Sequence, residues 1–222
     1  MPGPKDALAL EGGLYTLFML GALALGLWPG ALHPMAGSGT TLPALRIVAA
    51  GQAVFIVLIH PALLARRSGN LYRLWALHLA IMLSVSVPFL VVSAYVSDAV
   101  AVDVVRVTIY GLFLWLIVPA SATLIRAGGL RTTLSMLVLV IMGAGLPAAW
   151  YIMMDFSRWR HAEVFRFASS VMFAFDNAAS RGHVFGGLPL WSALLPVAVA
   201  LGFVVVEKAL GGEYRHGGST AC

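Results

Sequence analysis

Long apolar stretches separated by short polar connections dominate the hydropathy pattern of the chain. A helix that crosses a membrane needs about 20 consecutive and largely apolar residues. Six stretches meet or approach that length, namely 14–28, 42–65, 71–96, the stretch that follows Asp103 and ends at Arg126, 134–154 and 188–206. Arginine pairs, glycines and prolines lie in the connections between them. The pattern therefore predicts an all-α, polytopic membrane protein with six transmembrane helices.

One segment between the fifth and sixth stretches departs from this pattern, and we call it the island (residues 155–181). Eight of its side chains are ionisable: Asp155, Arg158, Arg160, His161, Glu163, Arg166, Asp176 and Arg181. The run 164–175 inside the island is too apolar for a solvated loop and too short for a span. We predict one or two short helices here, either re-entrant or lying in the membrane interface.

The composition agrees with this assignment and limits the domain organisation. Hydrophobic residues make up 60% of the 222 residues and charged residues only 10%, against about 25% charged residues in soluble proteins. Six spans use most of this length, so we predict one transmembrane domain over 1–210 and a disordered cytoplasmic tail over 211–222. A nucleotide-binding domain has no room, and any ATP chemistry would come from a partner. The single cysteine, Cys222, excludes an internal disulfide framework and a cysteine-built metal site.

The basic residues indicate the orientation of the chain. The net charge of +5 does not predict nucleic-acid binding, because the basic residues lie singly or in pairs beside the spans. Short cytoplasmic loops carry an excess of Lys and Arg. One side collects eight of these residues: Lys5, Arg66, Arg67, Arg73, Arg126, Arg131, Lys208 and Arg215. We therefore predict a bacterial-type inner membrane, with both termini cytoplasmic and the island facing outward.

Two histidines lie within the predicted spans. His60 precedes Arg66 by about 9 Å of helix, and His78 follows Arg73 by about 7.5 Å, so the two lie at similar depth. Intramembrane histidines are functional candidates, and two at one depth suit a haem iron or a metal. The simpler interpretation is a pair bonded to the backbone or to each other. We favour it, because electron transfer across the membrane would need a second pair near the outer face. We therefore predict no cofactor, with haem b as the alternative.

The sequence does not support catalysis. The spans contain almost no ionisable residues, and no pair of carboxylates or nucleophile–base combination is recognisable in them. Ser169 and Ser170 with His183 form the one serine–histidine combination, and nothing supplies an oxyanion hole. Asp103 and Arg106, three residues apart at the start of the fourth span, predict a salt bridge. We therefore predict that the chain is not an enzyme.

The end of the chain carries a resemblance. The aromatic-rich run 165–176 is followed by Gly187-Leu188-Pro189-Leu190-Trp191 and a last span rich in Leu, Ala and Val. With six spans and an outward island, this arrangement resembles the permease subunit of type-2 ATP-binding-cassette (ABC) exporters. The resemblance implies an export permease in membrane lipid, with a separate ATPase subunit and a second permease subunit as partners. It also implies an outer re-entrant region, which here contains Arg158, Arg160, Glu163, Arg166 and Asp176.

The connection between spans two and three departs from the family pattern. That family carries an acidic, glycine-containing coupling helix there, whereas residues 66–73 of this chain contain no acidic residue. The predicted partner interface is therefore basic and aromatic, and consists of Arg66, Arg67, Tyr72 and Arg73. Two alternatives remain open: an accessory or haem-carrying transmembrane subunit of a larger redox complex, and a permease-like assembly protein without ATP coupling.

Overall fold

The computed structural model describes residues 4–28, 43–97, 99–157, 162–178 and 190–216. Every regular element within these ranges is a helix, so the predicted all-α class is confirmed for them. The described part contains eleven α-helices: α1 (Pro4–Leu27), α2 (Pro43–Val54), α3 (His60–Ala65), α4 (Leu71–Val96), α5 (Ala101–Trp115), α6 (Ile117–Ala127), α7 (Gly129–Val140), α8 (Leu146–Ile152), α9 (Glu163–Ala168), α10 (Ser170–Asn177) and α11 (Leu190–His216).

Six helical segments are long and apolar enough to cross a membrane, the number that the sequence predicts. They are Ala9–Leu27, Ala44–Ala65, Leu71–Val96, Ala101–Ala127, Gly129–Asp155 and Leu190–Ala209, and we number them spans one to six. Many apolar side chains on these segments are exposed, such as Val91, Leu137 and Val205. An exposed apolar surface of this kind is suited to lipid. These features indicate a multi-pass membrane protein.

Several helix boundaries differ from those predicted. The first helix begins at Pro4 and includes the polar residues before span one, because proline suits the first position of a helix, where its missing N–H is not needed. The connection between spans four and five, expected after Arg126 and before residue 134, is Gly128 alone. Gly128 and Gly129 have φ values of +79° and +57°, which glycine adopts readily. The last helix runs to His216 although the tail was expected from 211, since an interior glycine costs a helix only about 1 kcal/mol.

Three π-helical turns interrupt the described helices, at Phe55–Ile59, Ile141–Gly145 and Met153–Ser157. Two of them directly precede a helical segment with proline at its second residue, Pro61 in α3 and Pro147 in α8. A proline inside a helix lacks the N–H for its backbone bond, and its ring clashes with the carbonyl four residues earlier. A wider π turn relieves that clash without ending the helix.

The core is built around α2, which contacts α1, α4, α5 and α10, and it continues along α6, most of whose apolar residues are buried. Its largest fully buried side chains include Tyr15, Phe55, Trp115 and Phe173. Small residues let α1 and α2 approach closely: a Cβ added at Gly26 would lie 2.7 Å from the Cα of Ala44. Helices in membranes commonly pack through small residues in this way.

The sequence predicts one or two short helices in the island, and the structure has two there, α9 and α10. Ser169 joins them, and its Oγ donates to the carbonyl of Met142 at 3.2 Å. Met142 is the central residue of span five. On the other side, the hydroxyl of Tyr110 donates to the carbonyl of Ser170 at 3.3 Å. The junction of α9 and α10 therefore lies deep within the bundle, beside the middle of span five.

Candidate functional site

Contacts between distant parts of the chain define the two ends of the bundle. Arg67 binds Glu11, Arg126 donates to two carbonyls of the turn after α3, and Thr123 donates to Glu207 at 3.3 Å. The beginning of span one, this turn and the ends of spans four and six thus share one end, which we call the terminal end. The opposite end, which holds α9 and α10, is the island end.

A buried ion pair joins α1 to the turn after α3 at the terminal end. The guanidinium of Arg67 donates to one carboxylate oxygen of Glu11, with Nη2 at 2.6 Å and Nε at 2.9 Å from Oε1. A buried carboxylate needs such a partner, because an unpaired charge is expensive to remove from water. The second oxygen, Oε2, has no hydrogen bond in the described structure.

Two histidines lie next to this ion pair, further inside the bundle. His78 Nε2 lies 3.3 Å from Glu11 Oε2, within the distance of an ion pair but without the angles of a hydrogen bond. The other nitrogen of His78, Nδ1, lies 3.3 Å from His60 Nε2 and is in hydrogen-bond contact with it. Both rings are buried. Glu11, His78 and His60 thus form one row, which we call the histidine row.

The geometry of the histidine row does not fit the haem alternative. Imidazole nitrogens bind metals at about 2 Å, so two axial ligands on opposite faces of a haem lie about 4 Å apart, further than the 3.3 Å found here. Among the described residues, no group of three or more His, Cys, Asp or Glu side chains could hold a metal ion. The structure instead brings His60 and His78 together in direct hydrogen-bond contact.

Aromatic rings close the inner side of the histidine row. The ring of His60 meets Trp115 edge-on, with centroids 4.6 Å apart, and Phe55 lies 6.1 Å away on another side. Trp75 holds the backbone of Trp115, because its Nε1 donates to the carbonyl of Trp115 at 3.0 Å. Arg67, by contrast, keeps 23% of its side chain exposed. Among the described residues, Arg67 therefore connects the row to the surface at the terminal end.

A second polar layer lies deeper in the same helices. The hydroxyls of Tyr15 and Ser86 are 2.5 Å apart, and Gln52 Nε2 donates to Ser86 Oγ at 3.3 Å. Phe55 lies between the layers, with its ring 4.7 Å from that of Tyr15. Gln52 also lines a cavity of about 10 Å³ with Tyr110, Gly111 and Asn177 among its other walls. A polar cavity of this size holds about one water molecule.

At the island end, a buried network ties α5 to α10. Arg106 pairs with Asp103 at 2.8 Å, which confirms the salt bridge predicted from their spacing. Arg106 Nε also donates to the carbonyl of Asn177 at 2.8 Å, and Asn177 Nδ2 donates back to the carbonyl of Arg106 at 3.4 Å. Asp103 accepts in addition from the backbone N–H of Val100 at 3.1 Å.

A bidentate ion pair joins α9 to α10. Arg166 donates through Nε and Nη2 to the two oxygens of Asp176, at 2.7 and 2.6 Å, and reaches Glu163 at 3.4 Å. The hydrogen bond to Asp176 raises the pKa of Arg166 above its ordinary value. The guanidinium also lies 5.3 Å from the ring centroid of Trp150, a cation–π distance. Glu163, Arg166 and Asp176, predicted as one outer region, thus lie together.

The four residues of the predicted partner interface do not form one surface. Arg66, Tyr72 and Arg73 are exposed, and Tyr72 keeps 61% of its surface accessible. Arg67 is instead turned inward towards Glu11. Asn70 holds the first turn of α4 by accepting from the N–H groups of residues 72 and 73. Of the outer arginines, Arg158 and Arg160 lie outside the described residues.

Sequence reasoning did not single out several polar residues of the two layers: Glu11, Tyr15, Gln52, Ser86 and Asn177. A signal for them exists in the spacing. Glu11 and Tyr15 are four residues apart on α1, which is close to one helical turn. Polar residues repeated at near-helical spacing inside apolar spans predict a shared polar face.

Comparison of the chain with protein families, curated proteins and solved structures found no match.

Proposed function

We propose that the chain is the permease subunit of an ATP-driven export complex in a bacterial-type inner membrane, with both termini cytoplasmic and no catalytic activity of its own. Its partners in this proposal are a separate ATPase subunit and a second permease subunit. The observation that carries the proposal is the depth of the α9–α10 junction, whose Ser169 bonds to Met142 at the centre of span five.

The surroundings of this junction support a re-entrant pair. Non-helical backbone at membrane depth is tolerated only where protein or a water-filled cavity surrounds it. Ser169 is such a break, and it is fully buried; its hydroxyl accepts from the N–H of Met172 and donates to Met142. Phe173, in the middle of α10, is also fully buried and packs 4.8 Å from Tyr110. In the proposal, this pair closes the outer mouth of the passage.

The passage itself would lie between subunits. The cavity beside Gln52, of about 10 Å³, holds about one water molecule and is far too small for an exported substrate. In the proposal, a second permease subunit supplies the opposite wall of the passage. The short loops with excess Lys and Arg support the placement of the terminal end in the cytoplasm, where the ATPase would bind.

At that end, Arg66, Tyr72 and Arg73 are the exposed residues that would meet the ATPase. Arg and Tyr are enriched among residues that dominate binding energy, and truncating such a residue typically costs about 2 kcal/mol or more. Their simpler use is contact with anionic lipid, at about 1 kcal/mol for each basic residue. The two roles differ in whether a protein partner is lost when the side chains are removed.

The test is purification of the tagged chain from its native membrane in mild detergent, followed by identification of bound subunits and of ATPase activity. We expect an ATPase with the wild type, and its loss when Tyr72→Ala and Arg73→Ala are combined. Lys208→Ala is the matched control, since Lys208 is exposed near the same end and lies outside the turn. An unmodified chain that binds no ATPase, or a double variant that keeps it, would overturn the proposal.

One observation favours a second candidate, a permease-like assembly protein without ATP coupling. Arg67 belongs to the basic turn predicted to contact the ATPase, yet its guanidinium is held by Glu11 within the chain. The turn is thus tied to its own bundle. An assembly protein would co-purify with other membrane subunits and without an ATPase, so the same purification separates the two candidates.

A further inference from the structure

We propose that the histidine row of Glu11, His78 and His60 is a proton-binding site that exchanges its proton with water at the terminal end. This inference concerns the row itself and does not depend on the export proposal. It rests on one carboxylate and two imidazoles that lie close together inside spans that otherwise contain few ionisable groups. Glu11 lies beside His78, and His78 is in contact with His60. Titratable groups inside a membrane bundle commonly mark proton sites.

A count of hydrogen-bond donors and acceptors in the row shows why it would take up a proton. A neutral imidazole has one donor and one acceptor nitrogen. When His78 carries its hydrogen on Nδ1, it can donate to His60, but the bare Nε2 then faces the carboxylate oxygen of Glu11, 3.3 Å away. When the hydrogen is on Nε2, it lies beside Glu11 Oε2 at the distance of an ion pair, and His78 must accept from His60.

In the second arrangement, His60 gives its only hydrogen to His78. Its Nδ1, which has no hydrogen-bond partner in the described structure, is then a bare and buried acceptor. A proton added to His78 removes the conflict at that ring, because an imidazolium donates from both nitrogens. The positive ring then lies 3.3 Å from Oε2 of Glu11 and donates from Nδ1 to His60. The added proton comes from water, and no other bond is made or broken.

The charges around the row explain how the proton would act on the rest of the molecule. Glu11 comes from α1 and Arg67 from the turn after α3, while α5 contributes the uncharged ring of Trp115. Of the other charged groups at this end, Arg126 binds backbone carbonyls of the turn and Glu207 accepts from Thr123. Arg66, Arg73 and Lys208 are exposed. Glu11 is therefore the one carboxylate in contact with both Arg67 and His78.

Protonation of His78 would make it compete with Arg67 for Glu11. In the structure, Oε1 of Glu11 accepts from Arg67, and Oε2 lies next to His78. A positively charged His78 would attract the carboxylate of Glu11 and weaken the ion pair between Glu11 and Arg67. Because that ion pair attaches the turn to α1, the attachment would weaken as well. Proton uptake is thus linked to the position of the turn that joins spans two and three.

Among the described residues, the row ends inside the bundle, so it has the form of a site rather than of a channel. His60 ends it against Phe55 and Trp115, and Phe55 separates it from the deeper layer of Tyr15, Ser86 and Gln52. Water can reach it through the partly exposed Arg67. A proton that enters at the terminal end would therefore leave by the same end unless the ring of Phe55 moves.

The test is nuclear magnetic resonance of the full chain in lipid nanodiscs, with ¹⁵N-labelled histidine and the four other histidines changed to glutamine. The ring signals are followed from pH 8.5 to pH 4.5. We expect the signals of His60 and His78 to shift together in one transition, since the two rings share the proton. Glu11→Gln should move that transition to lower pH by about one unit or more, because it removes a nearby negative charge.

Glu163→Gln is the matched control, because it makes the same change at the island end and should leave the transition in place. The wild-type titration alone already tests the site, should Glu11→Gln fail to fold. Two rings that titrate independently, or that stay neutral over the whole range, would overturn the proposal. A transition that Glu11→Gln leaves unmoved would overturn the role given to the carboxylate and, with it, the link to the turn.

Discussion

Two buried networks of the bundle, one near each end, hold charge in different ways. At the island end, Arg106 is matched by the carboxylate of Asp103 and the carbonyl of Asn177, in good hydrogen-bond geometry. At the terminal end, one oxygen of Glu11 and one nitrogen of each histidine lack a hydrogen-bond partner in the described structure. A matched network has one preferred state, whereas an incompletely matched one can change its protonation or its contacts at small energetic cost.

This difference suits different tasks. The island-end network joins α5 to α10, and the neighbouring pair of Arg166 and Asp176 joins α9 to α10. Both fix the short helices in the bundle. The histidine row instead connects α1, α3 and α4 to a turn at the surface, where a change in contacts can be transmitted to the outside.

The largest effect is expected from breaking the matched network. Asp103→Leu leaves the buried guanidinium of Arg106 without its carboxylate, and removal of one partner of a buried ion pair typically costs about 3–5 kcal/mol. We expect a loss of that size in the free energy of unfolding, measured by equilibrium denaturation in detergent. The double variant Asp103→Leu with Arg106→Met is the control, and it should recover much of the loss because no charge is left buried alone. Equal losses in the single and double variants would show that packing, not charge, dominates there.

A smaller effect is expected at the pair between α9 and α10. Arg166→Gln removes two charge-assisted hydrogen bonds, but the side chain of Arg166 is 31% exposed and water can replace part of them. We expect a loss of about 1–2 kcal/mol by the same measurement. Glu163→Gln should cost less than about 0.5 kcal/mol, because Glu163 is 41% exposed and its contact with Arg166 is long, at 3.4 Å. A reversed order of the two variants would contradict the assignment of Asp176 as the main partner.

The number and type of elements were predictable from the sequence because both follow from local hydropathy. A span must be apolar over its whole length, so the six segments stand out from the polar turns. The ends of the helices were less predictable. The helix that starts at Pro4 and the break limited to Gly128 depend on backbone geometry, which hydropathy does not record.

The site was predictable only in part, for a related reason. His60 and His78 were placed at one depth from the rise of a helix, and they are in contact. Their partner Glu11 was not predicted, because the contact requires α1 to lie against α4 in a particular rotation. Arg67 was expected on the surface for the same reason: a basic residue in a short loop carries no signal that a carboxylate 56 positions earlier will bind it.

A small effect is also expected from the incompletely matched row. His60→Leu removes a buried ring that already has one nitrogen without a partner, while it preserves most of the apolar volume against Trp115. We expect a change in the free energy of unfolding of about 1 kcal/mol or less, since the lost hydrogen bond is partly offset by the removal of an unsatisfied group. A loss as large as that of Asp103→Leu would remove the distinction between the two ends.

The π turn at Phe55–Ile59 sets the angular phase of the second span. Gln52 and His60 are eight residues apart, which on an uninterrupted helix leaves them about 80° apart around its axis. The π turn contains one extra residue, which offsets about 100° of rotation between the two side chains. Both side chains then contact α4, Gln52 at Ser86 and His60 at His78. Loss of a single residue from this turn would leave hydropathy and span length almost unchanged and yet rotate one polar layer away from the other. The number of residues in this turn therefore decides whether the two polar layers face the same side of the span. A side-chain substitution does not change that number.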